Sequence, residues 1–179
     1  MEMFIRCTDP FGGIQISPDT DSRFYDAASG YKYNHLTLMG FSLTHLSGTG
    51  IPDLGDFLFI PGTGEMKLEP GTHEDPDQGY RSRYSHDKEW ASPNYYAVEL
   101  ADYGVKAEMT SGVRSGMFRF IYPESDNAFI MIDMNHTLWQ SCEWSNLRMI
   151  NDSTITGYKL VKGWGPERHV YFTATSRRS

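Results

Sequence analysis

Val105-Lys106-Ala107-Glu108-Met109-Thr110 is the stretch that decides the fold class. Apolar Val105, Ala107 and Met109 alternate with polar Lys106, Glu108 and Thr110. A β-strand sends successive side chains to opposite faces, so a period of two predicts a strand with one apolar and one wet face. Working outward, Phe118 and Phe120 around Arg119 repeat the pattern within Met117–Tyr122. Short runs rich in Ile, Val, Phe, Tyr and Thr also cover Gly13–Ser17, Phe57–Ile60, Tyr95–Leu100, Ala128–Met134, Thr154–Leu160 and Val170–Thr175. Turn-forming clusters separate them: Ser17-Pro18-Asp19, Pro61-Gly62-Thr63-Gly64, Asp102-Tyr103-Gly104 and Pro123-Glu124-Ser125-Asp126-Asn127. Strands at about 8–12-residue spacing, with no sustained 3.6-residue period, read as an all-β antiparallel sandwich or barrel. No internal repeat is visible.

The 179 residues fit one domain. A chain of this size buries roughly 70 % of its unfolded surface, so neither disulfides nor metal are needed to hold a core. Hydrophobic residues at 39 %, charged at 22 % and aromatic at 14 % exclude disordered, collagen-like and coiled-coil classes. No run approaches the ~18 apolar residues of a membrane-spanning helix, so no membrane span is expected. Sixteen basic against 23 acidic residues leave a net charge of −7, which repels phosphate backbones and argues against nucleic acid as a partner. Met1–Cys7 carries an acid where a signal peptide needs bases, and no apolar segment follows. Either the chain stays inside the cell or its native start lies upstream, and localisation stays open. Cys7 and Cys142 are too few for a disulfide framework and read as two unpaired thiols.

Three polar segments, Asp19–Lys32, Thr44–Gly55 and Gly62–Gly79, are longer than ordinary connections, and long loops in compact domains tend to be functional. All lie in the N-terminal half, which places the expected site at one end of the sandwich. Overlapping the second of them, the loop Gly40-Phe41-Ser42-Leu43-Thr44-His45-Leu46-Ser47-Gly48-Thr49-Gly50 concentrates hydroxyls, a histidine and glycines ahead of Asp53 and Asp56. Small residues let backbone approach a ligand, while hydroxyls and carboxylates bind sugar hydroxyls or a cation. The alternative is a hydrogen-bonded loop around a structural histidine. His35, His45, His73, His86, His136 and His169 never fall three to five residues apart, and no zinc or EF-hand motif is present. A metal site would have to gather ligands from distant strands, as in a cupin-like barrel. Asp53/Asp56 and Glu65/Glu69 are spaced for glycosidase acid–base work, but 23 acids make such pairs common. No nucleophile elbow, P-loop or dinucleotide fingerprint occurs. Trp164, in Gly163-Trp164-Gly165-Pro166, and Tyr25, in Phe24-Tyr25-Asp26, sit in loop-like contexts where a ring can stack on a sugar. Trp90, Trp139 and Trp144 suit a core equally well. The sequons at Asn135 and Asn151 matter only in a eukaryotic secretory pathway.

A set of motifs spread over about Asp9 to Thr175 is similar to the N-terminal domain of glycoside hydrolase family 92. It comprises Pro10-Phe11-Gly12, Gln15-Ile16-Ser17-Pro18-Asp19, Gly30-Tyr31-Lys32-Tyr33, Gly40-Phe41-Ser42 with Thr44-His45-Leu46-Ser47-Gly48-Thr49-Gly50, and Asp53-Leu54-Gly55-Asp56. It continues with Ser85-His86, Ala91-Ser92-Pro93-Asn94-Tyr95-Tyr96, Asp102-Tyr103-Gly104-Val105-Lys106-Ala107-Glu108 and Gly163-Trp164. The resemblance implies a galactose-mutarotase-like β-supersandwich from a calcium-dependent, inverting exo-α-mannosidase of bacterial N-glycan degradation. It also implies that calcium and the catalytic carboxylates belong to a following helical domain, with this domain's loops completing the mannose pocket. Family members are typically periplasmic or extracellular. Leu43 stands where the family pattern carries a histidine, residues 1–8 match no family opening, and residues 176–179 do not resemble the domain's continuation. The chain is therefore expected to be a fragment without its helical catalytic domain.

On this reading Tyr25, His45, Ser47, Thr49, Asp53 and Trp164 are the substrate-binding candidates, with no catalytic or metal-ligating residue and no cofactor in the chain itself. The expected partners are mannose-containing glycans and the absent helical domain. Hydrolysis by the chain alone is not expected, and mannose affinity should be millimolar or weaker. Exposed apolar surface meant for the helical domain should make the chain self-associate. Two alternatives stand beside it: a free-standing carbohydrate-binding module, which needs a complete exposed aromatic platform, and a cupin-like metal enzyme.

Overall fold

A computed structural model describes residues 7–8, 12–23, 28–46 and 50–177. Among the described residues there are fourteen strands, two short 3-10 turns and no α-helix. The alternating stretch forms β9 (Val105–Ser111), with Val105, Ala107 and Met109 buried. It lies inside an antiparallel sheet with β10 (Gly116–Ile121) on one side and β8 (Tyr95–Leu100) then β7 (Glu89–Ser92) on the other. Glu108, on the face expected to be wet, is also buried. Lys106 and Arg119 close over its carboxylate, Tyr95 donates its hydroxyl, and the Lys106 bond leads in holding it below the usual range although burial pushes it up. Between β7 and β8 the chain turns on Pro93-Asn94; Asn94 takes φ 63°, which asparagine tolerates, and its Oδ1 accepts from the Ser111 amide and hydroxyl.

A five-stranded sheet faces this one, built in spatial order from β1 (Cys7–Thr8), β2 (Gln15–Asp19), β4 (Gly40–Ser42), β5 (Leu58–Thr63) and β11 (Ala128–Asp133). Ile16 and Phe41 from this sheet meet Tyr96, Val98, Ala107 and Met109 from the other in the main core. On the opposite face Leu58 and Ile60 pack with Met39, Tyr80 and Met131. A small sheet pairs β3 (Thr37–Leu38) with β6 (Ser82–Arg83). The third main sheet is a meander of β12 (Ser141–Asn151), β13 (Thr154–Lys162) and β14 (Arg168–Thr175). It docks through Phe172, whose ring lies 4.5 Å from Phe57 and 5.9 Å from Phe59. The fold is the expected all-β antiparallel β-sandwich.

Three local expectations are corrected. Ser17-Pro18-Asp19 is not a turn but the end of β2, paired with Ser42, Phe41 and Gly40. Pro61-Gly62-Thr63 belongs to β5, paired with Ile130, Phe129 and Ala128, so the turn begins at Gly64 with φ 82°. Both prolines sit where the ladder on one side has ended: β1 reaches only Gln15 and Ile16, and β4 reaches β5 only at Phe59. A proline there loses no ladder bond. Finally, Gly40–Ser42 forms β4, which confines the loop after it to residues 43–57. No run was expected over β12, because register shifts at Cys142/Trp144 and Met149/Asn151 break its period of two. Cys142 is a free thiol.

Candidate functional site

Three connections converge at one place: residues 43–57 after β4, 134–140 after β11, and 163–167 after β13. The Leu138 amide donates to the Leu54 carbonyl at 3.0 Å, and the Trp164 amide donates to Asp53 Oδ2 at 3.4 Å. Leu54, Phe57 and Trp139 all take positive φ, at 74°, 57° and 69°. Left-handed backbone is unfavourable for these residue types and persists only where surrounding contacts hold it, as at ligand sites.

Beneath the loops runs a chain of buried charges. Asp19, fully buried, accepts from His45 Nε2 at Oδ1 and from His136 Nε2 at Oδ2, each at 2.7 Å. Burial pushes the Asp19 carboxyl up, but the charge of His45 and the two imidazole bonds outweigh it and hold Asp19 well below the usual range. His45 Nδ1 donates to the Gln15 carbonyl at 2.7 Å, so both of its nitrogens are engaged. Gly30, at φ 80°, is required here: a Cβ would stand 2.1 Å from Asp19 Oδ1 and 2.9 Å from His45 Nε2. Further along, Lys159, a fully buried residue of β13, donates to the His136 carbonyl and lies 3.7 Å from Asp56 Oδ1. Burial pulls the Lys159 ammonium down, against the attraction of Asp56. Asp56 Oδ2 accepts from Thr44 at 2.7 Å and from Arg168. Arg168 also reaches to 3.9 Å from Asp53 Oδ1, closing the network.

Above the network opens a cleft of about 420 Å³ lined by Pro52, Trp139, Gln140, Ser141, Lys162, Gly163 and Trp164. Trp164 is 58 % exposed and Trp139 55 %. An open cleft with two aromatic walls and amide, hydroxyl and ammonium groups between them suits a polyhydroxylated ring, whose C–H face stacks while its hydroxyls hydrogen-bond.

Of the residues singled out from sequence, Trp164 reaches the cleft and Asp53, buried below, holds the Trp164 loop by its backbone. His45 lies in the charge network at 2 % exposure, not at the surface. Tyr25, Ser47 and Thr49 fall outside the described residues. Sequence reasoning missed Asp19, Lys159, His136 and Trp139 as site residues, since nothing in spacing links positions that far apart. All four tryptophans are at least half exposed, so Trp90, Trp139 and Trp144 are not core residues. A second cluster, Asp21, His35 and His73, brings one ligand-capable atom from each residue within 4.8 Å of the others.

The profile of the glycosyl hydrolase family 92 N-terminal domain matches residues 1–179. No curated protein matches the chain. Among solved structures, the family GH92 α-mannosidase BT3965 from Bacteroides thetaiotaomicron is 95 % identical over 97 % of this chain, with TM-score 0.94. Its complex with mannoimidazole matches equally, at the same TM-score. The GH92 glycosyl hydrolase CcMan5 is 25 % identical over 96 % of the chain, with TM-score 0.73. The chain spans only 23 % of the length of the BT3965 protein and 24 % of CcMan5. With the profile matched from end to end, and a β-sandwich shared with two GH92 enzymes, the chain belongs to the glycosyl hydrolase family 92 N-terminal domain.

Proposed function

We propose that this chain is the carbohydrate-facing N-terminal domain of an inverting exo-α-mannosidase acting on N-glycan mannose, and that it does not hydrolyse glycosides alone. The cleft walled by Trp139 and Trp164 carries the reading. Inverting hydrolysis needs an acid and a base about 6.5–9.5 Å apart on either side of the sugar. Asp19, Asp53 and Asp56 lie below the cleft, each held by donors of its own, so none is disposed for that work. As the family resemblance implies, the acid and base belong to the remainder of the enzyme, which is also the partner of this domain.

Calcium, which the family resemblance implies, is assigned there too. It is a hard cation that takes six to eight oxygen ligands. Asp21, His35 and His73, the one metal-capable cluster among the described residues, offer two imidazoles and a carboxylate and do not fit it. A glycan substrate also suits an enzyme of the periplasm or beyond, where members of the family typically act.

Titration of the chain with mannose, followed by calorimetry, tests the reading: the dissociation constant should be millimolar or weaker, about −4 kcal/mol at most. No α-mannoside should be cleaved, whereas Trp164→Ala in the longer enzyme should lower kcat/KM about tenfold, equivalent to about 1.4 kcal/mol. Turnover by the chain alone would overturn the proposal. Because both aromatic walls lie on this chain, a micromolar constant would instead identify a free-standing carbohydrate-binding module.

A further inference from the structure

Asp21, His35 and His73 play no part in the mannosidase reading, yet their donor atoms are disposed as a ligand set. His73 Nε2 lies 3.5 Å from Asp21 Oδ2. Zinc–nitrogen and zinc–oxygen bonds of about 2.0–2.2 Å in a tetrahedron put neighbouring ligand atoms about 3.3–3.6 Å apart, so this edge already has the required length. The His73 Nε2 atom is buried and makes no hydrogen bond among the described residues, although it faces the Asp21 carboxylate. A buried ring nitrogen without a hydrogen-bond partner calls for one, and a metal ion in front of it would supply it.

The other nitrogens show how the rings are held. His73 Nδ1 lies 2.8 Å from Thr37 Oγ1, which also accepts from Arg81. His35 Nδ1 lies 3.0 Å from Thr20 Oγ1. That hydroxyl donates to the Gly30 carbonyl and accepts from the Lys32 amide, so it can only accept from His35. Each ring is thus oriented through Nδ1 by a threonine, as metal-ligating histidines are oriented by an outer hydrogen bond. The two rings lie 4.1 Å apart. Burial leads in pushing both imidazoles down toward the neutral, ligating form, followed by His73 for His35 and by Arg81 for His73, while the Asp21 charge opposes both. Asp21 is held ionised at about 2: burial pushes it up, but bonds from Arg23 prevail.

We propose that Asp21, His35 and His73 bind one divalent transition ion of the zinc class, clamping the loop between β5 and β6 to the segment between β2 and β3. Two imidazoles and one carboxylate match the preference of zinc, and a water completes the tetrahedron. Two cations oppose the ion. Arg23 pairs with Asp21 Oδ2 at 2.8 Å, and Arg81 is buried alongside. The Arg23 side chain is 65 % exposed and can swing outward, whereas Arg81 is fixed by Thr20 and Thr37. The site therefore binds in the micromolar range.

Zinc chloride titrated into the full chain by calorimetry at pH 7.5, with cobalt(II) absorption as a report on coordination, tests the assignment. One ion per chain should bind, His35→Ala and His73→Ala should each weaken binding at least tenfold, and Arg23→Ala should tighten it. Thermal melts should show zinc raising the midpoint of the wild type and of R23A but not of the histidine variants. His73→Asn serves if an alanine variant fails to fold. Absence of saturable binding up to about 1 mM zinc, unchanged affinity in the double histidine variant, or calcium binding as tightly as zinc would each overturn the proposal.

Discussion

Replacing Asp19 by Asn tests the charge network under the cleft. The carboxylate is fully buried and accepts two charge-assisted hydrogen bonds, each 2.7 Å long, from His45 and His136. An asparagine of the same shape keeps one acceptor and turns an N–H₂ donor toward the other imidazole. One charge-assisted bond is worth about 1.5–3 kcal/mol, and breaking a buried pair costs about 3–5 kcal/mol, so a loss of about 3 kcal/mol is expected. For a chain of this length each kcal/mol moves the melting midpoint by about 2–4 °C, which gives a fall of about 6–12 °C. Tryptophan fluorescence melts of wild type and D19N at pH 7, 4, 3 and 2 provide the assay. The folded Asp19 carboxyl titrates below its unfolded value of 3.8, so its stabilisation is complete above that pH and is lost as pH falls below it. The gap between the two proteins should therefore close at low pH. A midpoint shift under about 2 °C at pH 7, or a gap unchanged down to pH 2, would refute the reasoning.

Other perturbations follow from the same contacts. Gly157→Ala should destabilise by about 1–3 kcal/mol, because its Cβ would stand 2.0 Å from the Phe172 ring that Phe57 and Phe59 hold in place. Gly165→Ala, with nothing within 4 Å of the added carbon, should leave the melt within about 0.5 kcal/mol of wild type. Arg23→Ala should make acid unfolding begin nearer neutrality, since Asp21 is held at about 2 by Arg23 and its stabilisation is lost between 3.8 and that value as pH falls; a pH titration of the folded fraction reads this. Lys159→Met should destabilise by about 3–5 kcal/mol in a urea melt, by leaving Asp56 without its buried ammonium. On the exposed face of the third sheet, Trp144, Tyr158 and Tyr171 form a ladder with ring centroids 5.1 and 4.7 Å apart. Sedimentation at high concentration should show self-association through such surface, and a clean monomer would count against it.

The fold was legible wherever alternation survived unbroken. β8 runs Tyr95–Leu100 as the spacing predicts, and β9, β10, β11 and β14 begin or end within about two residues of expectation. It was not legible where the ladder changes its rules. Two register shifts hide β12, and two prolines at places needing no amide disguise strand as turn. For the site, loop composition pointed to His45, Asp53 and Trp164 but not to what each does.

Taken alone, the order of residues determined an all-β chain, its turns at Asp102-Tyr103-Gly104 and after Tyr122, and the family to which its motifs belong. These depend on neighbours within a few positions, where side-chain period and backbone preference act directly. Only the tertiary structure decided that Asp19 lies between His45 and His136, that Lys159 points inward at Asp56, and that Trp139 and Trp164 face one cleft. A buried charge is tolerable only beside its partner, and for Asp19 that partner arrives from a strand connection more than a hundred residues away. Local sequence carries no record of such a meeting; sheet packing alone brings it about.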